Sequence, residues 1–235
     1  TAPRVIDEVK AAGLRGRGGA AFPTGTKLEL TAQEPADQKY LVANGAEDEP
    51  GSFKDRLLLE HHPHLILEGI ILCAYAVGAG NGYLYVNRTY AAAHQSLTQA
   101  IDEAAAEGFL GDDLLGSGFS FALKLFEAPT DYVAGEDTAA LEVIEGKPPV
   151  PREKPPYPVQ AGLFGKPTLV SNVETFANVP RILLNGAGWF RSFGVEESPG
   201  TMIFCIGAEV NQPGAYELPF GATLRQLVED YGGGL

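Results

Sequence analysis

Apolar and polar positions along the first part of the chain predict short strands separated by helices. Apolar runs over residues 39–43, 82–87 and 119–125 are typical of strands. Helical spacing of apolar residues predicts helices over 63–75 and 90–107, the first opened by Pro63 and the second stopped by Gly108. This strand–helix order favours parallel pairing through right-handed crossovers. It predicts an α/β sheet with ligands at the carboxyl ends of the strands, after Asn44, Asn87 and Glu127.

A glycine-rich segment, residues 13–25, follows a predicted helix that carries Val5, Val9 and Ala12 on one face. The segment contains five glycines and two arginines and no acidic residue, in a chain of net charge −13. Such a loop suits a phosphate or a cofactor, because glycine permits close approach and exposed N–H groups bind anions. Residues 16–21 match the G-x-G-x-x-G/A pattern, but the strand that the dinucleotide fingerprint needs is missing. The alternative is a flexible surface linker.

The composition excludes several classes of function. At 235 residues and 45% hydrophobic content, the chain can form one large domain or two small ones. The net charge of −13 argues against a nucleic-acid partner, which needs a basic face. Cys73 and Cys205 lie far apart, so the sequence predicts a reducing, cytoplasmic setting and neither disulfides nor a cysteine-ligated cluster. The most apolar run, residues 69–79, is too short to span a bilayer, so we expect no membrane insertion.

Two connections at predicted strand ends concentrate carboxylates. Residues 47–49 are Glu, Asp and Glu, which repel one another unless donors or a cation face them. Residues 136 and 137 are Glu and Asp at the start of a predicted helix over 139–145. Acidic residues in a first helical turn commonly serve the helix dipole alone, but Gly135 just before them would let a planar ligand pass close by. Histidines at 61, 62 and 64 are interpreted as a solvated loop, and no metal site is predicted.

Two further segments predict local structure. Residues 147–158 are rich in proline, which predicts a rigid extended arm. Ser171 or Asn172 can cap the helix that contains Phe176, Val179 and Ile182, and capping alone would explain their presence.

Seven segments together resemble one family. They are Gly13–Ala20, Phe22–Gly25, Glu49–Arg56, Gly135–Ala139, Lys154–Pro158, Gly165–Thr168 and Asn172–Thr175. The chain resembles the NADH-binding flavoprotein subunit of respiratory complex I and its relatives in NAD-reducing hydrogenases and NAD-dependent formate dehydrogenases, over nearly its whole length. The resemblance implies FMN on a Rossmann-like, mostly parallel sheet with flanking helices. It also implies NADH stacked on the flavin, hydride transfer to it and onward electron transfer to an iron–sulfur partner.

The resemblance also implies site residues. The flavin site would include Gly16, Arg17, Gly18, Gly19, Lys27, Asn44, Glu47, Tyr132, Gly135, Glu136, Ser171 and Asn172. The nucleotide site would include Phe22, Glu49, Asp137, Lys154 and Tyr157, with Glu136 and Asp137 near the nicotinamide. No side chain need be a general acid or base, because the cofactor carries the hydride chemistry. Six positions depart from the family. Ala46 replaces an aspartate, Ala21 a glycine, Asp137 a glutamate, Ser171 one of two adjacent asparagines, Ala134 a cysteine and Leu30 an aromatic residue.

The end of the chain predicts a second unit. Residues 202–230 predict two strands and a helix, which resemble the start of a β-grasp (ubiquitin-like) domain, so we expect domains at 1–198 and 199–235. No iron–sulfur ligands are recognised. Either the sequence is a fragment or electrons leave through iron–sulfur subunits of a larger complex, on the cytoplasmic side of a membrane complex if the resemblance extends so far. The alternative functions are a non-catalytic binding or assembly scaffold and a flavin- or nucleotide-dependent oxidoreductase with another donor.

Overall fold

The computed structural model describes residues 1–207 and 209–235. Its helices are α1 (Ala2–Ala12), α2 (Thr24–Gln33), α3 (Lys54–His61), α4 (Pro63–Val77), α5 (Ala91–Ala106), α6 (Asp137–Ile144), α7 (Pro158–Ala161), α8 (Val173–Asn185), α9 (Ala187–Arg191) and α10 (Leu224–Gln226). Its strands are β1 (Tyr40–Gly45), β2 (Asn81–Asn87), β3 (Ala122–Ala128), β4 (Thr168–Asn172), β5 (Gly194–Val195), β6 (Ser198–Pro199), β7 (Thr201–Ile206) and β8 (Gly214–Pro219).

The central sheet is parallel, as the strand–helix order predicts. Its strand order is β3-β2-β1-β4, and all its pairings are parallel. Asn44 on β1 pairs in register with Tyr85 on β2 and Asn172 on β4, so the carboxyl ends of these strands lie side by side. The predicted α/β class is confirmed. The strand β4 and the helices α2 and α3 are not among the elements predicted from the sequence.

The third strand starts later than its apolar alternation predicts. It begins at Ala122, so Phe119 and Phe121 belong to the preceding loop. Phe121 exchanges backbone hydrogen bonds with Gly111 and is fully buried, with its ring stacked on that of Phe119. The alternation therefore extends beyond the strand because these aromatic rings fill the core from a loop.

The three histidines are exposed but not in a loop. His61 ends α3, His62 separates α3 from α4, and His64 lies in the first turn of α4, 2.8 Å from Glu103. A solvated loop was therefore the wrong prediction, because the two helices follow one another directly. Within residues 1–207 and 209–235, no group of three or more His, Cys, Asp or Glu side chains is arranged to hold a metal ion.

Two apolar clusters cover the two faces of the sheet. The larger one joins the sheet to α1, α2, α4, α5 and α8, and includes the predicted Val5, Val9 and Ala12. The smaller one lies under α6 and includes Tyr85, Leu141 and Val170. No single helix among the described residues is long and apolar enough to cross a membrane. Only α3 and α4 taken together, with a 96° bend between them, reach that length and apolar composition.

The C-terminal residues form the two predicted strands and a short helix. β7 and β8 are an antiparallel hairpin, and Thr223 and Gln226 form a capping box at α10. The hairpin is fastened to the sheet domain by three hydrogen bonds: Arg17 Nε donates to the Thr201 carbonyl, Ile203 N to Glu174 Oε1, and Phe53 N to Cys205 Sγ. The β-grasp assignment and the boundary at 198 stay predictions.

Candidate functional site

The glycine-rich segment is a closed turn that reaches the end of β4. It follows α1 as expected, because Gly13 adopts a left-handed conformation (φ 71°) and ends the helix. Gly16 N donates to the Phe22 carbonyl at 2.9 Å, which closes the turn around residues 17–21. Gly18 then lies against Asn172: a Cβ built on Gly18 would stand 3.1 Å from the Asn172 Cβ. The sequence placed these two residues in one site, and the structure brings them together.

Arg17 has a different role from the one its sequence context suggests. A guanidinium in an anion-binding loop would suit a phosphate, but Arg17 is only 2% exposed and its side chain points to the C-terminal hairpin. It donates to the carbonyls of Thr201 and Arg15 and lies 4.7 Å over the Phe220 ring. Burial lowers the pKa of Arg17, and Glu174 opposes this. The side chain therefore links the glycine turn to the hairpin, while its Nη2 is buried without a hydrogen-bond partner among the described residues.

Asn172 is the confirmed cap of α8. Its Oδ1 accepts from Glu174 N at 2.9 Å, and its Nδ2 donates to Asp55 Oδ2 at 2.7 Å. Ser171 precedes it on β4, is half-buried and pairs in register with Ala43. The first turn of α8 thus lies beside the glycine turn, and a helix N-terminus favours an anion.

The loops after β1 and β3 meet in front of the sheet. Asn44 Nδ2 donates to the Gly135 carbonyl at 2.8 Å, and Asn44 Oδ1 accepts from Ala46 N at 3.1 Å. A Cβ built on Gly135 would stand 3.1 Å from the Ala46 carbonyl oxygen. Asn44 and Gly135, two expected flavin-site residues, therefore lie in direct contact.

Each of the three crowded carboxylates after β1 has a donor. Glu47 accepts from the backbone of Asp55 and Arg56 and so caps α3. Asp48 accepts from Asn87 Nδ2 at 2.6 Å, and Glu49 accepts from the Tyr132 hydroxyl at 2.7 Å. The repulsion that the sequence implies is relieved by these donors.

Two buried polar atoms near this loop have no partner among the described residues. They are Asp48 Oδ2 and the hydroxyl of Tyr85, which is fully buried on β2. Burial is the main cause that raises the pKa of both groups, and Asp131 adds to it. A buried polar atom without a partner is costly, so this place suits a polar ligand group or water.

Glu136 caps α6 and forms an ion-paired group with Asp137 and Lys154. It accepts from Thr138 N and Ala139 N, both at 2.8 Å, so it serves the helix start as an N-cap, whereas the sequence predicted only an interaction with the helix dipole. Lys154 Nζ lies 2.9 Å from Glu136 Oε1 and 2.7 Å from Asp137 Oδ1. Burial disfavours the charge on Lys154, but these hydrogen bonds outweigh it and raise its pKa. Lys154 therefore stays a cation, held at the start of α6.

Lys27 approaches the same group from α2. Its Nζ donates to the Val170 carbonyl at 3.0 Å and lies 5.7 Å from the centre of the Phe22 ring. Burial lowers the pKa of Lys27, Asp137 raises it and Lys154 lowers it. Three aromatic side chains of the predicted sites present exposed rings to solvent: Phe22 (44% exposed), Tyr132 (63%) and Tyr157 (54%). Such faces can stack on flat rings.

Sequence reasoning missed a buried charged cluster behind Asn172. Lys54 Nζ lies 2.6 Å from Asp55 Oδ1 and 2.9 Å from Glu174 Oε2, and all three residues are less than 10% exposed. Burial raises the pKa of Asp55 to about 6, although Lys54 opposes this. Lys54, Asp55 and Glu174 lie within segments that resemble the family, but only the fold shows that their side chains are buried together.

Comparisons with known proteins agree with this geometry. A family model described as the Nuo51 FMN-binding domain matches residues 9–181. One protein of the NADH-quinone oxidoreductase of Rhizobium meliloti (strain 1021) is 46% identical over 234 residues, which cover 100% of this chain and 56% of that protein. The HndC protein of the NADP-reducing hydrogenase of Solidesulfovibrio fructosivorans is 45% identical, over 100% of this chain and 48% of that protein. The chain spans about half the length of the curated relatives it matches.

The fold also has a close relative among solved structures. A crystal structure of an NAD+-reducing NiFe hydrogenase in the H2-reduced state aligns with a TM-score of 0.92 and 39% sequence identity. The alignment covers 98% of this chain and 39% of that chain. The fold of the chain is therefore shared with part of that protein.

Proposed function

This chain belongs to the Nuo51 FMN-binding domain family, and we propose that it binds FMN where β1 and β4 end and accepts electrons there from NADH. The observation that carries the proposal is the contact of the Gly18 backbone with Asn172 at the start of α8. Here a glycine turn and a helix N-terminus face the same space, and both favour a phosphate group.

The remaining flavin-site residues follow from this position. The backbone of Gly16 to Gly19 and the first turn of α8 would hold the phosphate, with the side chain of Lys27 nearby. Asn44, Glu47, Tyr132, Gly135, Glu136 and Ser171 would surround the rest of the cofactor. The unpartnered Asp48 Oδ2 and Tyr85 hydroxyl support a polar ligand group beside the loop after β1.

The nucleotide would lie over the start of α6 and the proline arm. Phe22 and Tyr157 offer exposed rings for its bases, and Lys154 is held as a cation beside Asp137. Glu49 accepts from the Tyr132 hydroxyl and would also accept from ribose hydroxyls, whereas it would repel a 2′-phosphate. These features support NADH rather than NADPH as the donor.

FMN, when bound, supplies the ring that accepts a hydride and passes on electrons. The chain's own residues bind and orient the two ligands. We find no need for a proton-transferring side chain. Since the relatives are named as parts of an oxidoreductase and a hydrogenase, we propose that electrons pass on to an iron–sulfur protein. We also propose that the chain lies on the cytoplasmic side of a membrane complex.

Loading the chain with FMN tests this proposal. After incubation with FMN and gel filtration, we expect a yellow protein with about one flavin per chain. The Lys154→Met variant should retain the flavin but bind NADH about tenfold more weakly. Lys166→Met is the matched control, because Lys166 pairs with Asp37 instead. A chain that stays colourless after loading would reject the proposal and favour a scaffold.

A further inference from the structure

The β3 edge of the parallel sheet pairs with no further strand in the described part of the chain. β3 is the outer strand next to β2. The helices α5 and α6 pack against it, as α2 and α7 pack against β4, and just before β3 Phe121 forms a bridge with Gly111. β3 is seven residues long and contains no proline. An open edge of this kind can pair with another strand, so proteins usually shorten or cover it.

The register shows which backbone groups face outward. Ala122 N donates to the Gly80 carbonyl, and the Ala128 carbonyl accepts from Arg88 N, so even-numbered residues of β3 face β2. In a parallel ladder, alternate residues direct both backbone groups to the same side. Leu123, Leu125 and Glu127 therefore direct their N–H and C=O groups to the open edge.

A groove with a volume of about 790 Å³ runs between this edge and α5. Leu125 is one of its lining residues, and the carboxylates of its lining are Asp102, Glu103 and Glu127, without a lysine or arginine among the lining residues described. His64 and Gln99 hydrogen-bond to Glu103 and lower its pKa, so this carboxylate stays ionised. The groove thus combines unpaired backbone groups with a single sign of charge.

We propose that this groove docks an extended, basic segment of a partner protein, which adds to β3 as a fifth strand. Backbone hydrogen bonds to the outward groups would give the affinity, as in other cases of strand addition. Lysine or arginine side chains of the segment would face the three carboxylates and set the choice of partner. The surface does not include the flavin-site residues, so the inference stands apart from the proposed function.

The test uses the whole chain and a blocked heptapeptide of alternating lysine and valine. Amide hydrogen exchange measured by NMR should slow at least about tenfold at Leu123, Leu125 and Glu127 when the peptide binds. The exchange of Lys124 and Phe126 should be unchanged, because their N–H groups already pair with β2. Protection elsewhere, or no protection at these three amides, would overturn the proposal.

Variants separate charge from strand pairing. Glu127→Lys should weaken peptide binding about tenfold, whereas Asp7→Lys, an equal charge change at an exposed site on α1, should leave it within about twofold. Leu125→Pro removes one outward N–H and should abolish binding, with circular dichroism as the check on folding. If Leu125→Pro unfolds the chain, the amide hydrogen exchange of the parent alone decides whether the peptide pairs with β3. Equal binding of a peptide with glutamate in place of lysine, or a dimer of this chain formed through the same amides, would refute a basic partner.

Discussion

Replacing Gly18 by valine tests the contact on which the proposed flavin site depends. Even the first added carbon would stand 3.1 Å from the Asn172 Cβ and 3.8 Å from its Cγ. The two further methyl groups of valine would have to displace the Asn172 side chain. That side chain caps α8 and donates to Asp55, so it has little freedom to move.

The expected magnitude follows from these contacts. Overpacking costs about 1–3 kcal/mol, and losing the helix cap costs about 1 kcal/mol. A bound phosphate needs the cap and the glycine turn in their present positions, so we expect FMN to bind at least about tenfold more weakly. Gly18→Ala should show a smaller loss, because a single carbon at 3.1 Å needs a shift of only a few tenths of an ångström.

Quenching of FMN fluorescence during titration with the chain measures this affinity, and urea unfolding measures the accompanying loss of stability. Gly188→Val is the matched control, because a Cβ there would meet nothing within 4 Å. If Gly18→Val and the Gly188→Val control both bind FMN as tightly as the parent, the proposed position of the phosphate is refuted.

Three other predictions follow from the site and its surroundings. Tyr157→Ala and Phe22→Ala should each weaken NADH binding about tenfold in titrations while FMN binding is unchanged, and equal losses with Phe109→Ala, another exposed ring, would argue against stacking. Arg17→Met should lower the free energy of unfolding in urea by about 2–4 kcal/mol, because it removes two part-buried hydrogen bonds and the charge facing Glu174. The exposed Arg4→Met is its control, and an equally small effect of both would contradict the buried role. Asp55 has a pKa raised from 3.8 to about 6, so its stabilising proton is present below pH 3.8 and is lost as the pH rises through 6. The stability of the parent relative to Asp55→Asn should therefore fall between these pH values, by up to about 3 kcal/mol, and a difference independent of pH would contradict the shift.

The sequence predicted the parts of this fold that have a strong local pattern. The apolar pattern located β1, β2, α4 and α5 to within a few residues, since the two strands are apolar runs buried on both faces and each helix buries an apolar face. It missed β4, which is only five residues long and runs directly into α8. It placed the start of the third strand at Phe119, because aromatic residues of a loop fill the core there.

The sequence also predicted some features of the candidate site and missed others. The proximity of Gly18 to Asn172, and of Asn44 to Gly135, was expected because the resemblance assigns all four residues to the flavin site. The direction of a side chain was not readable, as Arg17 shows by turning to the hairpin. The buried ion pairs of Lys54 with Asp55 and Glu174 depend on the packing of α3 against α8, which no local pattern encodes.

Anaerobic addition of NADH to the FMN-loaded chain tests the central claim most directly. We predict that about one equivalent of NADH bleaches the visible absorption of the bound flavin. NADPH should bleach it far less, because Glu49 would repel its 2′-phosphate. A flavin that stays oxidised after NADH is added would contradict the account, and equal bleaching by NADPH would contradict the role given to Glu49.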